Sequence, residues 1–319
     1  MIRKLKLNLI LLAMSQLPAI CFSQNIDWEI TFTDSTWIES IQGLAMSDDK
    51  YIYATGFSRQ PGDTIKRRIF KIDTSGTIIW GRGVKIDSAL TSSLYQIKKV
   101  KNENTFYVTG GSNEPGVFQY EFLCKIDTAA DTIWTKKFSY PTFHNTITGW
   151  HQLKDKSTVF VGEILTPSAF DIITRRVDSS GIVIWEETYN LIGDQFGFDI
   201  TEMLDGSLVL AGSSDGDNLI MRIGFDGSPI DTLTINSNIS KIDHLKTALF
   251  PRNQIVLLND AWDGNWYNSQ LLLLDSELHA IQNRTSNDWL RSNFDILVDS
   301  TILYTRSPVI DSVFLASLD

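Results

Sequence analysis

The chain has 319 residues, 43% of them hydrophobic, and a formal net charge of −10. With 38 acidic against 28 basic residues and no basic cluster, it lacks the surface that phosphate binding needs, which argues against nucleic acid as a partner. Its two cysteines, Cys21 and Cys124, are too few for a disulfide framework, so stability must come from burial.

Residues 1–23 read as an export signal. Arg3, Lys4 and Lys6 precede the apolar run 7–14, and Cys21 and Ser23 stand at the minus-three and minus-one positions of a cut before Gln24. The run is too short to span a membrane, and no later stretch is long enough. Acylation at Cys21 is the alternative, but that processing wants a small residue before the cysteine and finds Ile20. Loss of Arg3, Lys4 and Lys6 takes the formal charge from −10 to −13. Residues 24–319 are expected to form one domain, exported to the periplasm, the medium or the cell surface. Cys124, in the strand EFLCKID, is expected to be a small buried residue without a disulfide partner.

Four stretches repeat along the chain: KIDTSGTIIW at 71–80, KIDTAADTIW at 125–134, RVDSSGIVIW at 176–185 and a degenerate IGFDGSPIDTL at 223–233. Each is a strand, an acidic small-residue turn and a second strand. Aligning Trp80, Trp134, Trp185, Leu233 and Ile281 gives steps of 54, 51, 48 and 48 residues, the length of a four-stranded propeller blade. Each unit resolves into an inner, a second, a third and an outer strand.

In chain order the inner strands begin at 41 (IQGLAM), 94 (LYQIKKV), 147 (ITGWHQL), 198 (FDITEML), 244 (HLKTALF) and 293 (NFDILV). Polar tight turns follow, then second strands at 51, 105, 158, 207, 254 and 301, rich in β-branched and aromatic residues. Four second strands are expected to end in glycine, at Gly56, Gly110, Gly162 and Gly212, where the backbone bends out of the blade. The third strands (RIFKID, EFLCKID, IITRRVD, LIMRIGF, QLLLLD, VFLASLD) enter the Asp-rich turns. An Asp-x-Ser-Gly turn resembles part of a calcium loop, but a single carboxylate cannot supply six or more oxygens, so these are expected to be structural. Trp80, Trp134 and Trp185 are expected to be buried between neighbouring blades.

The sixth third strand ends at Asp319 with no outer strand after it, while IDWEITF at 26–32 has the outer-strand pattern with nothing before it. The chain is therefore expected to be an all-β, six-bladed β-propeller of four-stranded antiparallel blades. Residues 26–32 would close it, antiparallel to the last third strand near 313–318, with Trp28 in the place of Trp80. A truncated seven-bladed parent is the alternative. The repeat resembles a family of exported bacterial β-propeller proteins, carried here by Asp205, Gly206 and Gly212, by Lys71, Asp73, Gly76 and Trp80, by Lys125, Asp127 and Trp134, and by Asp178, Gly181 and Trp185. The resemblance implies a propeller exported from a Gram-negative cell and brings no active site with it. Many members end in a sorting domain for type IX secretion, whereas this chain ends inside its sixth repeat.

Function has to be sought in the connections from second to third strand and from outer to next inner strand, which are long and share one face; the opposite turns are short. The richest is NDAWDGNWYNS at 259–269, where Trp262, Trp266 and Tyr267 stand beside Asp263. Aromatic faces flanked by amide and carboxylate groups suit a sugar or a peptide strand, and the competing reading is that two of these rings anchor the loop in the blade. Arg59, Arg306, Phe118 and Phe170 are placed on the same rim. The four histidines, at 144, 151, 244 and 279, show no ligand spacing, so no metal is expected. No Gly-x-Ser-x-Gly elbow, Ser-x-x-Lys pair or phosphate loop occurs, and no cofactor is expected. Six Asp-(Ser/Thr)-aliphatic triplets, among them Asp63 and Asp311, resemble a glycosylation acceptor that turns opening onto strands also generate. The leading reading is an exported, monomeric binding or scaffolding propeller holding a glycan or protein partner. The alternative is a carbohydrate-active hydrolase or lyase with its site at the mouth of the central channel.

Overall fold

The structure, a computed structural model, describes residues 9–10, 23–24, 38–59, 66–84, 91–113, 120–138, 146–235, 242–250, 254–262, 267–286, 290–296, 301–306 and 313–317. Five antiparallel four-stranded sheets follow one another along the chain. The first holds Ile38–Met46, Ile52–Arg59, Lys66–Ile72 and Ile78–Arg82. The second holds Thr91–Lys99, Thr105–Asn113, Tyr120–Asp127 and Thr132–Phe138. Gly149–Gln152, Thr158–Leu165, Phe170–Val177 and Val183–Tyr189 make the third. Gln195–Glu202, Leu208–Ser214, Asp217–Ile223 and Pro229–Ile235 make the fourth. Ile242–Phe250, Gln254–Trp262, Tyr267–Leu274 and Ala280–Ser286 make the fifth. A further sheet pairs Leu290–Ile296, Thr301–Arg306 and Val313–Ser317. Beside Val313 in that sheet lies Leu9, in parallel, and Leu9–Ile10 pairs in turn with Ser23–Gln24. Residues 26–32, expected in that position, lie outside the described residues.

The first strand of each sheet is the inner one, since successive sheets meet through it. The core is correspondingly shared: one cluster joins Leu153, Val159 and Ile172 of the third sheet to Ile200, Leu208 and Leu219 of the fourth. Each such side chain contributes roughly 1.5–3 kcal/mol by leaving water. Cys124 is wholly buried, and burial pushes its thiol pKa up, as its expected packing role requires.

Two bulges recur. In the inner strands the register slips at Gln42, Tyr95, Phe198 and Asp243. In the third sheet the slip is visible as Thr146 and Thr148 donating to the second strand through Glu163 O and Val161 O. The extra residue bends the inner strand and drives its backbone onto the glycine opposite. A β-carbon at Gly162 would overlap the carbonyl oxygen of Thr146, and one at Gly212 that of Phe196. These glycines therefore sit inside second strands that continue to Leu165 and Ser214, correcting the expectation that the strands end at them.

The second bulge lies in the outer strands, at Ile79, Ile133, Ile184, Ile230 and Ile281. All five are isoleucine and all stand 46–55% exposed. They set the true register of the repeat. Trp80, Trp134 and Trp185 pair with Lys71, Lys125 and Arg176, and the residues in the same place further on are Asp231, opposite Arg222, and Gln282, opposite Leu273. Leu233 and Ile281, aligned with the tryptophans from sequence, are out of register.

The tryptophans are half-buried clamps rather than fully buried packing residues. The Trp134 Nε1 donates to Ser179 O of the next sheet at 3.2 Å, and Trp185 Nε1 donates to Phe225 O at 3.0 Å. Beneath each indole lies the turn glycine, Gly181 at φ +82 and Gly227 at φ +88. A β-carbon there would come within 2.9 Å of the Trp134 ring or 3.0 Å of the Trp185 ring. The turn itself is closed by its aspartate: Asp178 Oδ1 accepts from the Ser180 and Ile182 amides at 2.9 Å each.

Arg176, opposite Trp185, adds a second bond between sheets, whereas Lys125, opposite Trp134, pairs with Glu103 of its own sheet. Arg176 reaches Ser157 Oγ at 2.9 Å and Asp155 at 2.6 Å in its own sheet, then donates to Phe225 O of the next at 3.0 Å. Arg222 repeats this with Ser207, Asp205 and Ser276 O. Burial pushes Asp155 up, but the Ser157 and Arg176 hydrogen bonds outweigh it and hold the carboxyl below its ordinary range.

Gly181→Ala and Gly206→Ala separate conformational strain from the tryptophan contact. Gly206 has φ +85 with nothing within 4 Å of an added β-carbon, so its substitution is expected to cost about 1 kcal/mol of left-handed strain. Gly181→Ala should cost visibly more in urea unfolding, because the Trp134 ring must also move. Equal costs would show that the indole does not hold this turn.

Candidate functional site on the loop face

The residues singled out from sequence fall at one end of the sheets. Trp262 pairs with Tyr267 where the second and third strands of the fifth sheet meet. Arg59 and Arg306 end the second strands of the first and last sheets, opposite Ile38 and Leu290. Asp263 and Trp266, with Phe118, lie outside the described residues.

The same face is built in detail over the third and fourth sheets, where three connections interlock. In the 166–169 loop, Thr166 and Ala169 close on each other through N–H···O and hydroxyl bonds of 2.8 Å. The next residue, Phe170, donates its amide to Asp194 Oδ1 at 3.0 Å, in the connection between the two sheets. Asp215 N donates to Asp194 O at 3.0 Å, and Asp194 N returns a bond to Asp215 Oδ1 at 3.2 Å, across to the 215–216 turn of the fourth sheet. Asp215 holds φ +49 and Gly216 φ +88 there, which short polar residues and glycine tolerate. Buried Gln195 props the connection by accepting from Leu191 N and donating to Gly193 O.

At the centre of this frame Phe170 and Phe196 pack with ring centroids 5.2 Å apart, both half-buried. Beside Phe170, Asp171 is 2% exposed, and among the described residues its Oδ1 has no hydrogen-bond partner. Burial pushes its carboxyl above the ordinary range, the Thr166 hydroxyl works against this, and the Asp194 charge adds to it. One sheet further on, Asn218 is also 2% exposed. It donates to Gln270 Oε1 at 3.0 Å while its own Oδ1 has no partner. Gln270 belongs to the strand that starts at Tyr267, so this rim runs toward the loop chosen from sequence.

Phe170 was placed on this rim from sequence. Asp171, Asn218 and Phe196 were missed, because no spacing pattern marks them: Asp171 and Asn218 stand out through a buried oxygen without a partner among the described residues, and Phe196 through its packing on Phe170. Chemically the arrangement offers aromatic faces and acceptor oxygens awaiting a donor. Among the described residues no group of three or more His, Cys, Asp or Glu could hold a metal ion. His151 and His244 lie on the inner strands of different sheets, and His279 in the outer turn of the fifth.

No family model matches the chain, and no curated protein matches it. Solved structures do. A protein of unknown function from Dyadobacter fermentans DSM 18053 superposes with a TM-score of 0.56 at 8% identity, over 88% of this chain and 94% of that one. A Lactobacillus plantarum protein gives 0.56 at 12% identity, over 88% and 81%. Virginiamycin B lyase from Staphylococcus aureus gives 0.53 at 13% identity, over 89% and 88%. At such identities the likeness shows the fold alone: an all-β, propeller-like succession of antiparallel four-stranded sheets.

Asp171→Asn gives a pH-resolved check of the buried carboxyl. A carboxyl with a raised folded-state pKa lowers stability above that pKa and not below its unfolded value. The variant is therefore expected to melt higher than the parent at neutral pH, with the gain fading as pH falls toward the ordinary value of 3.8. A variant that melts lower at neutral pH would mean that the carboxylate has a stabilising partner.

Proposed function

We propose that the protein is an exported binding propeller of six blades that holds a glycan or protein partner on its loop face. The observation that carries this reading is the Asp171 Oδ1 without a partner beside the Phe170–Phe196 pair. A buried acceptor left unpaired costs roughly 1–3 kcal/mol, and a ligand hydroxyl or amide would recover it while an apolar ring face rests on the phenylalanines. Trp262, Trp266 and Tyr267, with Asp263, extend this surface in the fifth blade, and Arg59 and Arg306 stand on the same rim. In this reading residues 1–23 are removed on export, residues 24–319 fold as one domain, and 26–32 supply the last outer strand. No helix among the described residues is long and apolar enough to cross a membrane.

Glycan and peptide arrays probed with residues 24–319 are expected to show a ligand whose affinity falls about 30-fold when one anchoring aromatic, worth about 2 kcal/mol, is removed. Phe170→Ala and a Trp262→Ala plus Trp266→Ala double variant should both lose it while melting close to the parent. Arrays that stay blank for the parent would remove the binding reading. The raised Asp171 carboxyl also suits the acid of a hydrolase or lyase. Turnover of a captured glycan that stops in Asp171→Asn would move the assignment to that class.

Deleting residues 24–33 tests the closure. It should leave the last sheet with an unpaired edge and produce aggregation. A deletion variant that remains monomeric with the parent's melting temperature would rule out residues 26–32 as the closing strand.

A further inference from the structure

At the opposite end of the sheets, the short turns between inner and second strands carry a different chemistry. In the second sheet the 100–105 turn closes through Val100 N to Thr105 O at 2.9 Å, with Asn102 at φ 61. In the third, Leu153 N donates to Ser157 O at 2.8 Å, with Lys156 at φ 71. The two turns dock where Lys101 N donates to Gln152 Oε1 at 2.6 Å. Between them lies a cavity of about 130 Å³ lined by Lys101, Asn102, Gln152, Leu153, Lys154 and Lys156.

Every charged residue on that wall is a lysine, in a chain whose net charge is −10. Of the neighbouring carboxylates, Glu103 pairs with Lys125 at 2.7 Å and Asp155 with Arg176 at 2.6 Å, while Glu202 is shared with a lining lysine, accepting from Lys154 N at 3.0 Å and lying 3.7 Å from Lys154 Nζ. Lys154 Nζ also donates to Met203 O at 3.2 Å, whereas the Lys101 and Lys156 ammonium groups make no hydrogen bond or close ion pair among the described residues, Lys156 acting on Glu103 only as a nearby charge. The positive field reaches into the inner strand: burial and then Lys98, with Lys101 and Lys154 adding to them and Asp199 opposing, lower His151 to about 4.

We propose that this cavity binds one tetrahedral dianion, a phosphate or sulfate group. Its volume equals about four waters, enough for a single such group and well short of the roughly 300 Å³ at which pockets for whole small molecules begin. Lysine ammonium groups act on phosphate as point charges without demanding a fixed fork, and the amides of Asn102 and Gln152 add neutral polar groups to the wall. The site is independent of the loop face, where Asp171, Asp194 and Asp215 present the opposite charge.

The test is calorimetric titration of residues 24–319 with inorganic phosphate and with sulfate at low ionic strength. Saturable binding is expected, weakening as sodium chloride is added. Lys101→Gln plus Lys156→Gln should weaken it at least tenfold with the melting temperature in ligand-free buffer close to the parent's, since neither ammonium makes a hydrogen bond or close ion pair among the described residues and Glu103 keeps its Lys125 partner. The Trp262→Ala plus Trp266→Ala variant should bind phosphate like the parent, which keeps this result separate from the fate of the loop-face reading. Glucose 6-phosphate and glucose 6-sulfate form a second arm: tighter binding than the free ions identifies a group carried on a sugar, and equal binding identifies the free ion. Absence of saturable binding to the parent, or undiminished binding in the double lysine variant, overturns the proposal.

Discussion

The contact on which the architecture depends is an indole resting on a glycine of the next sheet. Trp134 covers Gly181 and Trp185 covers Gly227, each also donating its N–H to a carbonyl of the same turn. A flat ring packs closest on a flat partner, which a glycine in a left-handed turn supplies at these two joints; the same turn position in the second sheet is held by Ala130 at φ 65. Asp178 fixes the backbone of the turn under Trp134, and Arg176, opposite Trp185, adds a second bond to the turn under that indole. The repeat signature is therefore a joint between sheets, written half in one repeat and half in the next. No single repeat can make that joint alone, which is the physical reason such units occur in arrays.

Sequence reading recovered what that joint imposes. The basic residue, the aspartate, the glycine and the tryptophan recur because they meet at the joint, with Ala130 in the glycine place of the second sheet and Asp231 in the tryptophan place of the fourth, and the strands between them followed from alternation and turn chemistry. What it could not recover was register in the degenerate copies. Leu233 and Ile281 looked like worn tryptophans because both are large and apolar, yet pairing puts Asp231 and Gln282 in that place. The residue that keeps the register is the isoleucine at the outer bulge, easily overlooked because an isoleucine in a strand attracts no notice. The second-strand glycines were found but given the wrong reason: the bulge facing them belongs to another strand and leaves no local mark.

The candidate site was legible by face and not by residue. Long connections pointed to the end of the sheets that carries the candidate site, and Phe170 was placed there. Asp171 and Asn218 were invisible beforehand, since an aspartate at the start of a strand ordinarily faces water. Only the interlocking of three connections through Asp194 and Asp215 buries it. Trp262, Trp266 and Tyr267 drew attention through aromatic density, which composition shows directly. The lysine-lined cavity on the opposite end was missed for the inverse reason: Lys101 comes from one repeat and Lys154 and Lys156 from the next, so the run Lys98, Lys99 and Lys101 gives no sign of the lysines that face it.

The outer bulges govern how this molecule can meet its neighbours. An exposed edge strand ordinarily offers an unbroken row of amides and carbonyls, and an apolar one invites another chain to extend the sheet. Here each outer strand carries an exposed isoleucine at the one point where its ladder is interrupted. At these points an exposed apolar side chain and a break in the ladder coincide, so a strand drawn to the isoleucine meets an irregular backbone rather than an unbroken run of amides and carbonyls.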